Sequence, residues 1–384
     1  MQKIIKVVPL KTDKKTGAVI KKIITTAGDF YSRACAYNNT LLSKERIVCI
    51  NTNFTLNGPP FKIHSIKFRT NSDESYENIK EITNERKKKE ARYDIHVKII
   101  EKILEKNKDK VVILNFPLFG TDLAKMDEDD MITIVMMQIE ANSPYITVPL
   151  FPDKESKKNL ELLKLTKNIL EKRNKDKKEN DRQEMIPCMN TWMLLDNFVE
   201  TLGDILSNFE IGSLMISCND IFNTKTTAIL SYLDENFPKS KLLIGVDVQD
   251  SSKSEDKRVS FNHILRAFNF DVTCREVYFP LTEIATTKVE KKRMYHDVAG
   301  AFFNEHEQDN WDGFSFTDFI IHNYPAECNL AIEQYIICLN FINLNKSAEI
   351  ERELIMKDQH EEYINKRPYL KAFWILQKGF PSNP

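Results

Sequence analysis

The sequence is poor in glycine and lacks the motifs that cradle nucleotide phosphates. Only 10 of its 384 residues are glycine, and neither G-x-G-x-x-G nor G-x-x-x-x-G-K-[ST] occurs. The G-x-S-x-G turn of serine hydrolases is also absent. These patterns place backbone N–H groups or a strained serine at a reactive centre. Their absence argues against a glycine-cradled nucleotide and against a nucleophile-elbow hydrolase.

Long apolar runs and paired cysteines are missing as well. No run of 18 apolar residues occurs, and the first residues, MQKIIKVVPLKTDKK, lack the apolar core of a signal peptide. The seven cysteines show no C-x-x-C spacing and mostly lie inside apolar runs. Buried, reduced thiols are typical of a reducing compartment. We therefore expect a cytoplasmic protein without a membrane-spanning segment.

Charge is balanced overall but uneven along the chain. The formal net charge is −1, while basic residues cluster at 86–89 and among the lysines of 154–178. These stretches are compatible with nucleic-acid binding, and solvated helix faces are the alternative. His296 and His306 are ten residues apart, which does not place them on one helical face, so no metal site is assigned.

What is present is a repeated alternation of short apolar runs and longer segments with helical periodicity. The runs expected to form strands are 46–51, 111–116, 145–151, 184–190, 213–219, 242–248, 271–279 and 316–323. Each of the first six precedes a helical pattern, and the seventh precedes a region expected to be helical from about residue 285. Continuous apolar strands are typical of parallel sheets covered on both faces, and eight units favour a barrel.

The predicted fold class is therefore α/β, a (βα)8 TIM-type barrel with an amino-terminal β cap and a carboxyl-terminal helical extension. The expected domains are a β-rich cap at 1–45, the catalytic barrel at 46–325 and the helical extension at 326–384. With 42% hydrophobic residues, the chain can bury a core of this size.

Several of the apolar runs end in amides or carboxylates. Asn115, Asn190 and Asn219-Asp220 close three runs, and Asp247 lies near the end of a fourth. Ligands of parallel α/β folds bind where the carboxyl ends of the strands emerge, so these side chains are expected to share one site. The alternative is that each caps the following helix.

The order of these strand ends resembles that of the tRNA-guanine transglycosylase family, over about residues 1–280. The segments that carry the resemblance are RIVCINTNFTL (46–56), VVILN (111–115), MQIEANSPYITVPLF (137–151), MIPCMN (185–190), EIGSLMISCND (210–220), KLLIGVDV (241–248) and FNFDVTCREV (268–277). The family uses a (βα)8 barrel to exchange a guanine in a polynucleotide for a 7-deazaguanine.

The resemblance implies roles for individual residues. It places Asp271 at the family nucleophile and Asp220 at a conserved acid of the pocket, which are the expected catalytic residues. The expected substrate-binding residues are Asn115, Asn190, Asn219, Gly245 and Asp247. Asp271 opens its apolar run instead of closing it, so capping of the preceding helix is an alternative for this residue.

Departures from the family pattern are also clear. Asn115 stands where the family has an aspartate, and an amide cannot carry a proton at neutral pH. The family's glycines are replaced by Asn190-Thr191-Trp192 and by Cys218-Asn219. The late zinc motif is missing, since the cysteines after Cys274 are the distant Cys328 and Cys338. No cofactor is therefore predicted, and zinc bound by scattered ligands is left open.

The predicted function is base exchange in DNA or tRNA, with a 7-deazaguanine as the entering base and a covalent carboxylate intermediate. Such chemistry passes through an oxocarbenium-like state that a carboxylate can trap. Two alternatives remain: a non-catalytic barrel that binds nucleic acid or a partner protein, and an unrelated barrel hydrolase. The chain is expected to act as a homodimer or with a partner subunit.

Overall fold

The structure is a computed structural model, which describes residues 1–36, 59–66, 68, 75–88, 91–118, 125–152, 156–218, 224–248, 261–275, 293–296, 301–304 and 332–378. The strands are β1 (Ile4–Thr12), β2 (Val19–Thr25), β3 (Phe30–Tyr31), β4 (Ala34–Cys35), β5 (Phe61–Ser65), β6 (Val111–Asn115), β7 (Tyr145–Pro149), β8 (Glu184–Asn190), β9 (Ser213–Ser217), β10 (Leu242–Val248), β11 (Val272–Arg275), β12 (Arg293–His296) and β13 (Ala301–Asn304). The helices are α1 (Ser75–Lys88), α2 (Ala91–Lys106), α3 (Glu128–Glu140), α4 (Ser156–Asn174), α5 (Leu195–Asn208), α6 (Thr224–Asn236), α7 (Phe261–Ala267), α8 (Ile332–Met356), α9 (His360–Asn365) and α10 (Pro368–Lys378), with a 3-10 turn at Glu179–Asp181.

The main sheet has six strands in the order β4-β11-β10-β9-β8-β7. The pairings of β7 with β8, β8 with β9, β9 with β10, and β4 with β11 are parallel. Strands β5 and β6 form a parallel pair, β1-β2-β3 form a separate sheet, and β12 and β13 form an antiparallel hairpin. The predicted mixed α/β class with a parallel sheet is confirmed.

The strands from β6 to β10 are each followed by one of the helices from α3 to α7. Every residue of β6, β7, β9 and β10 is buried, as expected for strands covered on both faces. The helices present apolar stripes to them; in α5, Phe198, Leu202 and Ile205 are buried and four or three residues apart. This alternation follows directly from the switch between runs of β-branched residues and helical periodicity.

Strands β6 and β7 are linked by a side-chain hydrogen bond. The Gln138 amide of α3 donates to the Thr147 carbonyl at 2.8 Å, and its own carbonyl accepts the Thr147 N–H at 2.8 Å. The Thr147 hydroxyl then donates to the Leu114 carbonyl of β6 at 2.6 Å. Because Gln138 satisfies both backbone groups of Thr147, β7 contacts β6 at this position through the Thr147 hydroxyl.

The chain divides into two compact units. The first comprises Met1–Val8, Ile23–Phe30 and Pro60–Asp247, and the second comprises Pro9–Lys22, Tyr31–Pro59 and Val248–Pro384. The expected domain boundaries at residues 45 and 325 both fall within the second unit and lie outside the described residues. The carboxyl-terminal part, where described, consists of the helices α8 to α10.

In the second unit, a buried ionic cluster is formed by residues distant in sequence. The Arg33 guanidinium donates to Glu351 at 2.9 Å, and Arg266 lies 3.6 Å from the second carboxylate oxygen. The ring of His360 contacts Glu351 through Nε2 at 3.0 Å. Burial alone would raise the pKa of Glu351, but Arg33, the His360 hydrogen bond and Arg266 hold that pKa well below its ordinary value.

One expectation is wrong. The segment from about residue 285 was expected to be helical, but its described parts are the strands β12 and β13, with Arg293 paired to Asn304 and His296 to Ala301. The segments MYH and AFF contain aromatic residues, which favour strands. Gly300 lies between them in the sequence, and glycine between two strand-forming segments favours a hairpin. The expected strands at 46–51 and 316–323 lie outside the described residues.

Candidate functional site

A polar cluster occupies the carboxyl ends of four parallel strands in the first unit. We call Ser65, Asn115, Ser217 and Asp247 the strand-end cluster. The Asn115 amide donates to the Asp247 carboxylate at 2.8 Å, and the Ser217 hydroxyl donates to its other oxygen at 2.7 Å. The same amide nitrogen lies 3.3 Å from the Ser65 hydroxyl, and all four side chains are buried. Polar side chains from β5, β6, β9 and β10 therefore form one cluster, in which Asn115 and Ser217 bond the Asp247 carboxylate and Ser65 contacts Asn115.

The contact between Asn115 and Asp247 joins strands of two different sheets. Asn115 ends β6 of the two-stranded sheet, and Asp247 lies near the end of β10 in the six-stranded sheet. The 2.8 Å hydrogen bond therefore brings the carboxyl ends of β6 and β10 together, although β7, β8 and β9 lie between them in chain order.

Asp247 has an unusual backbone conformation. Its φ is +56°, in the left-handed region, although it lies within β10. For residues other than glycine this region is uncommon, and Asp and Asn occupy it most readily. Backbone strain of this kind persists where surrounding contacts fix it and is enriched at functional sites. Here the hydrogen bonds from Asn115 and Ser217 hold the carboxylate in one position.

The orientation of the Asn115 amide is fixed by its neighbours. Its nitrogen must face the Asp247 carboxylate, because only an N–H can donate there. The amide oxygen, Oδ1, is buried and has no hydrogen-bond partner among the residues that the structure describes. A buried acceptor without a partner is energetically costly and is a common feature of a site that waits for a ligand donor.

Two buried thiols lie near the same carboxylate. Burial raises the pKa of Cys188 and of Cys218, and the negative charge of Asp247 raises both further. Both thiols therefore stay protonated at neutral pH. Because the thiolate is the reactive form, neither cysteine is suited to act as a nucleophile or metal ligand here.

Asn190 has a structural task at the end of β8. Its side-chain oxygen accepts the N–H of Trp192 at 3.0 Å, which forms a local turn after the strand. Asn190 is paired in register with Ser217 of the cluster, so it lies at the same level of the sheet. Gly245 lies inside β10, opposite Ile216 and two residues before Asp247.

Asp271 lies in the second unit, immediately before β11, at the amino end of that strand. Its carboxylate forms a 2.7 Å ion pair with Lys21, and both side chains are buried. The strand-end cluster, in contrast, is built from residues at the carboxyl ends of their strands. Asp271 is therefore part of a buried ion pair, and its role as nucleophile stays a prediction. Asn219 and Asp220 lie outside the described residues.

The sequence patterns pointed to amides and carboxylates at the strand ends and did not point to serine. Ser65 and Ser217 end strands just as the amides do, but a serine at a strand end is too common to attract attention. Ser65 also follows FKIH, in which polar residues alternate with apolar ones, so β5 was not recognised as a strand. The usable signal was the recurrence of a hydroxyl or amide at the last position of several strands.

Over the described part of the chain, no group of three or more His, Cys, Asp or Glu side chains has the arrangement of a metal site. In the same residues, none of the helices combines the length and the apolar character needed to cross a bilayer. A search against models of known protein families gave no match, and neither did a search of curated proteins.

Proposed function

We propose that this chain is a base-exchange glycosyltransferase, which replaces guanine with a 7-deazaguanine in DNA or tRNA at the strand-end cluster. The observation that carries the proposal is the contact between Asn115 and Asp247. It joins Asn115, which the resemblance to the tRNA-guanine transglycosylases places at a family aspartate, to Asp247, a carboxylate on the strand that resembles the family's strand through Gly245. The ordered similarity of the strand ends supplies the reaction, and the buried carboxylate supplies a group able to perform it.

The proposal includes a (βα)8 barrel as the scaffold. Strands β4 to β11 are eight in number and follow one another in chain order, and the strand pairings with an established register are parallel. The contact between the ends of β6 and β10 supports the proposal, because strands distant in chain order face each other across the interior of a closed barrel. In such barrels the reacting groups lie at the carboxyl ends of the strands, which is where the cluster lies.

Asp247 is the carboxylate that we assign to the covalent step. One of its oxygens would attack C1′ of the target nucleotide while the bond from C1′ to the guanine nitrogen breaks, and the departing base keeps the electron pair and takes up a proton. The ring nitrogen of the entering base then attacks C1′, releases the carboxylate and loses a proton. The hydrogen bonds from Asn115 and Ser217 position the nucleophile and stabilise its charge when it departs.

Asn115 cannot carry either proton, because an amide does not ionise at neutral pH. Its unpaired Oδ1 instead suits recognition of an N–H donor on the edge of a purine-type base. Proton transfer is assigned to Asp220, as the resemblance implies, or to water.

The test is incorporation of labelled guanine into DNA and into tRNA by the purified protein. We expect exchange with one of the polymers and a loss of about 100-fold or more in Asp247→Asn. Asp196→Asn, in the first turn of α5 and away from the cluster, is the control. Exchange that persists in Asp247→Asn would refute the assignment.

Asp271 is tested in the same assay by separating its charge from its ion pair. Asp271→Asn and Lys21→Met both break the pair, but only the first removes a carboxylate. If folded Lys21→Met retains exchange and folded Asp271→Asn loses it, Asp271 is the nucleophile. Equal behaviour of the two variants supports a structural role for the pair.

A further inference from the structure

Trp192 presents a large apolar surface to solvent just beyond the end of β8. Its side chain is 50% exposed, whereas Met193 beside it is buried. Tryptophan is on average a highly buried residue, because leaving its ring in water forfeits the free energy of burial. A half-exposed tryptophan just beyond the end of β8, whose neighbour β9 carries Ser217 of the cluster, therefore calls for a reason.

The backbone around Trp192 is held on both sides. Its N–H donates to the side chain of Asn190 at 3.0 Å, and its carbonyl accepts from Lys225 of α6 at 2.8 Å. Thr191, just before it, donates its N–H to the carbonyl of Ser217, a member of the strand-end cluster, at 3.1 Å. These hydrogen bonds fix the backbone segment that carries the ring. Less conformational entropy is therefore lost when a ligand binds to it.

Lys225 adds a positive charge at the backbone of the same residue. It lies in the first turn of α6 and is exposed, and one hydrogen bond to the Trp192 carbonyl leaves its remaining N–H groups turned to solvent or other acceptors. A flat aromatic face next to an ammonium is the combination that binds single-stranded nucleic acid, where the base stacks and the phosphate meets the cation.

We propose that Trp192 is a stacking platform for an unpaired base of a nucleic-acid strand, with Lys225 facing the adjoining phosphate. The inference rests on the proposed function, because it names how the polymer is held beside the strand-end cluster. Base-exchange chemistry needs the target nucleotide out of its stack, and a platform at the strand end compensates the stacking that is lost. The occupant is nucleic acid, and a protein partner or a second copy of this chain is the competing outcome.

The experiment measures binding of short fluorescein-labelled single-stranded DNA, and RNA of the same sequence, by fluorescence anisotropy. We expect Trp192→Ala to weaken binding by about tenfold or more, and Trp192→Phe to stay within about threefold of the wild-type protein. The matched control is Leu194→Ala, which truncates an apolar side chain of 62% exposure in the same loop. This control should change binding by less than about twofold.

Lys225 is tested by the salt dependence of the same binding. Lys225→Gln should reduce the slope of log affinity against log salt by about 0.7, the value for one phosphate contact on a single strand. Binding that is unchanged in Trp192→Ala overturns the proposal. So does an equal loss in Leu194→Ala, or a concentration-dependent dimer that Trp192→Ala abolishes while nucleic-acid binding is unaffected.

The two proposals fail in different ways. If labelled guanine is exchanged and Asp247→Asn abolishes exchange, but Trp192→Ala binds the strand normally, the platform is wrong and the function stands. If binding depends on Trp192 and no base is exchanged in either polymer, the function is wrong and the platform stands as a nucleic-acid contact.

Discussion

At the scale of single residues, the ion pair between Lys21 and Asp271 joins two side chains with almost no exposure. Removing one partner of a buried pair is costly, because the opposite charge that faced the other in a low-dielectric interior is lost. Sequence alone could place Asp271 at the start of an apolar run. It could not identify Lys21, since nothing in the local pattern links residues 250 positions apart.

We expect Asp271→Asn to destabilise the protein by about 3–5 kcal/mol, because it removes the carboxylate charge that faces a buried ammonium. The double variant Lys21→Met/Asp271→Leu should lose clearly less than the sum of the single losses. Urea unfolding measures both. The exposed pair between Lys87 and Asp129 is the control, where Asp129→Asn should lose less than about 1 kcal/mol. Additive losses at Lys21 and Asp271 would contradict the prediction.

His64 on β5 gives a prediction for pH. Burial, with a smaller effect from Lys62, lowers the pKa of His64 to about 4. The unfolded chain has a histidine pKa of about 6.5. Between these values the unfolded state binds a proton that the folded state does not, so stability is complete above pH 6.5 and falls as the pH falls towards 4.

The expected loss from His64 over that window is up to about 3 kcal/mol. In His64→Gln this contribution is absent, so the unfolding free energy should depend less steeply on pH between 6.5 and 4. The other histidines are the same in both proteins, and the difference between the two curves therefore isolates His64. Parallel curves would show that the pKa of His64 is the same in the folded and the unfolded chain.

At the scale of secondary-structure elements, β10 combines a fully buried strand with a left-handed residue near its end. The left-handed conformation of Asp247 turns the backbone where the strand meets the site. A side chain with a β-carbon pays a steric penalty of about 1–2 kcal/mol in this region, and glycine does not.

Asp247→Gly should therefore be more stable than Asp247→Ala, by about 1 kcal/mol, although both lose the carboxylate. The comparison at Val246, one residue earlier and without positive φ, should give the opposite order, because glycine weakens a regular strand. Urea or thermal unfolding of the four variants measures this. The same order at both positions would mean that Asp247 is not strained.

Most of the elements could be predicted because their signals are local. The apolar runs at 111–116, 145–151, 184–190, 213–219 and 242–248 contain the strands from β6 to β10, and the helical periodicity between them contains the helices from α3 to α6. β5 was missed because Lys62 and His64 interrupt its apolar character. The hairpin of β12 and β13 was not predicted, because the sequence of that region shows no clear strand periodicity that would argue against a helix.

At the scale of the whole molecule, each of the two units is built from three separate segments of the chain. The second unit brings Arg33, Arg266 and Glu351 together, although Arg33 and Glu351 are 318 residues apart. Contacts between such distant residues depend on the complete fold. No composition shift or linker in the sequence marks this interleaving, so sequence patterns alone could not predict the two units.

We expect Glu351→Gln to destabilise the protein by about 3–5 kcal/mol, because two buried guanidinium groups would lose the carboxylate between them. Glu349→Gln, at a half-exposed position two residues earlier on α8, should change stability by less than about 0.5 kcal/mol. Chemical denaturation followed by circular dichroism is the measurement. A small effect at Glu351 would show that other acceptors neutralise the arginines.

The contact of Gln138 with β7 bears on what the edge of this strand can pair with. The Gln138 side chain occupies the N–H and the carbonyl of Thr147, and the Thr147 hydroxyl makes the contact to β6. Replacing Gln138 with leucine would take this partner from both backbone groups. The edge of β7 would then be open to another donor and acceptor, so a single position on α3 guards this strand against wrong pairing.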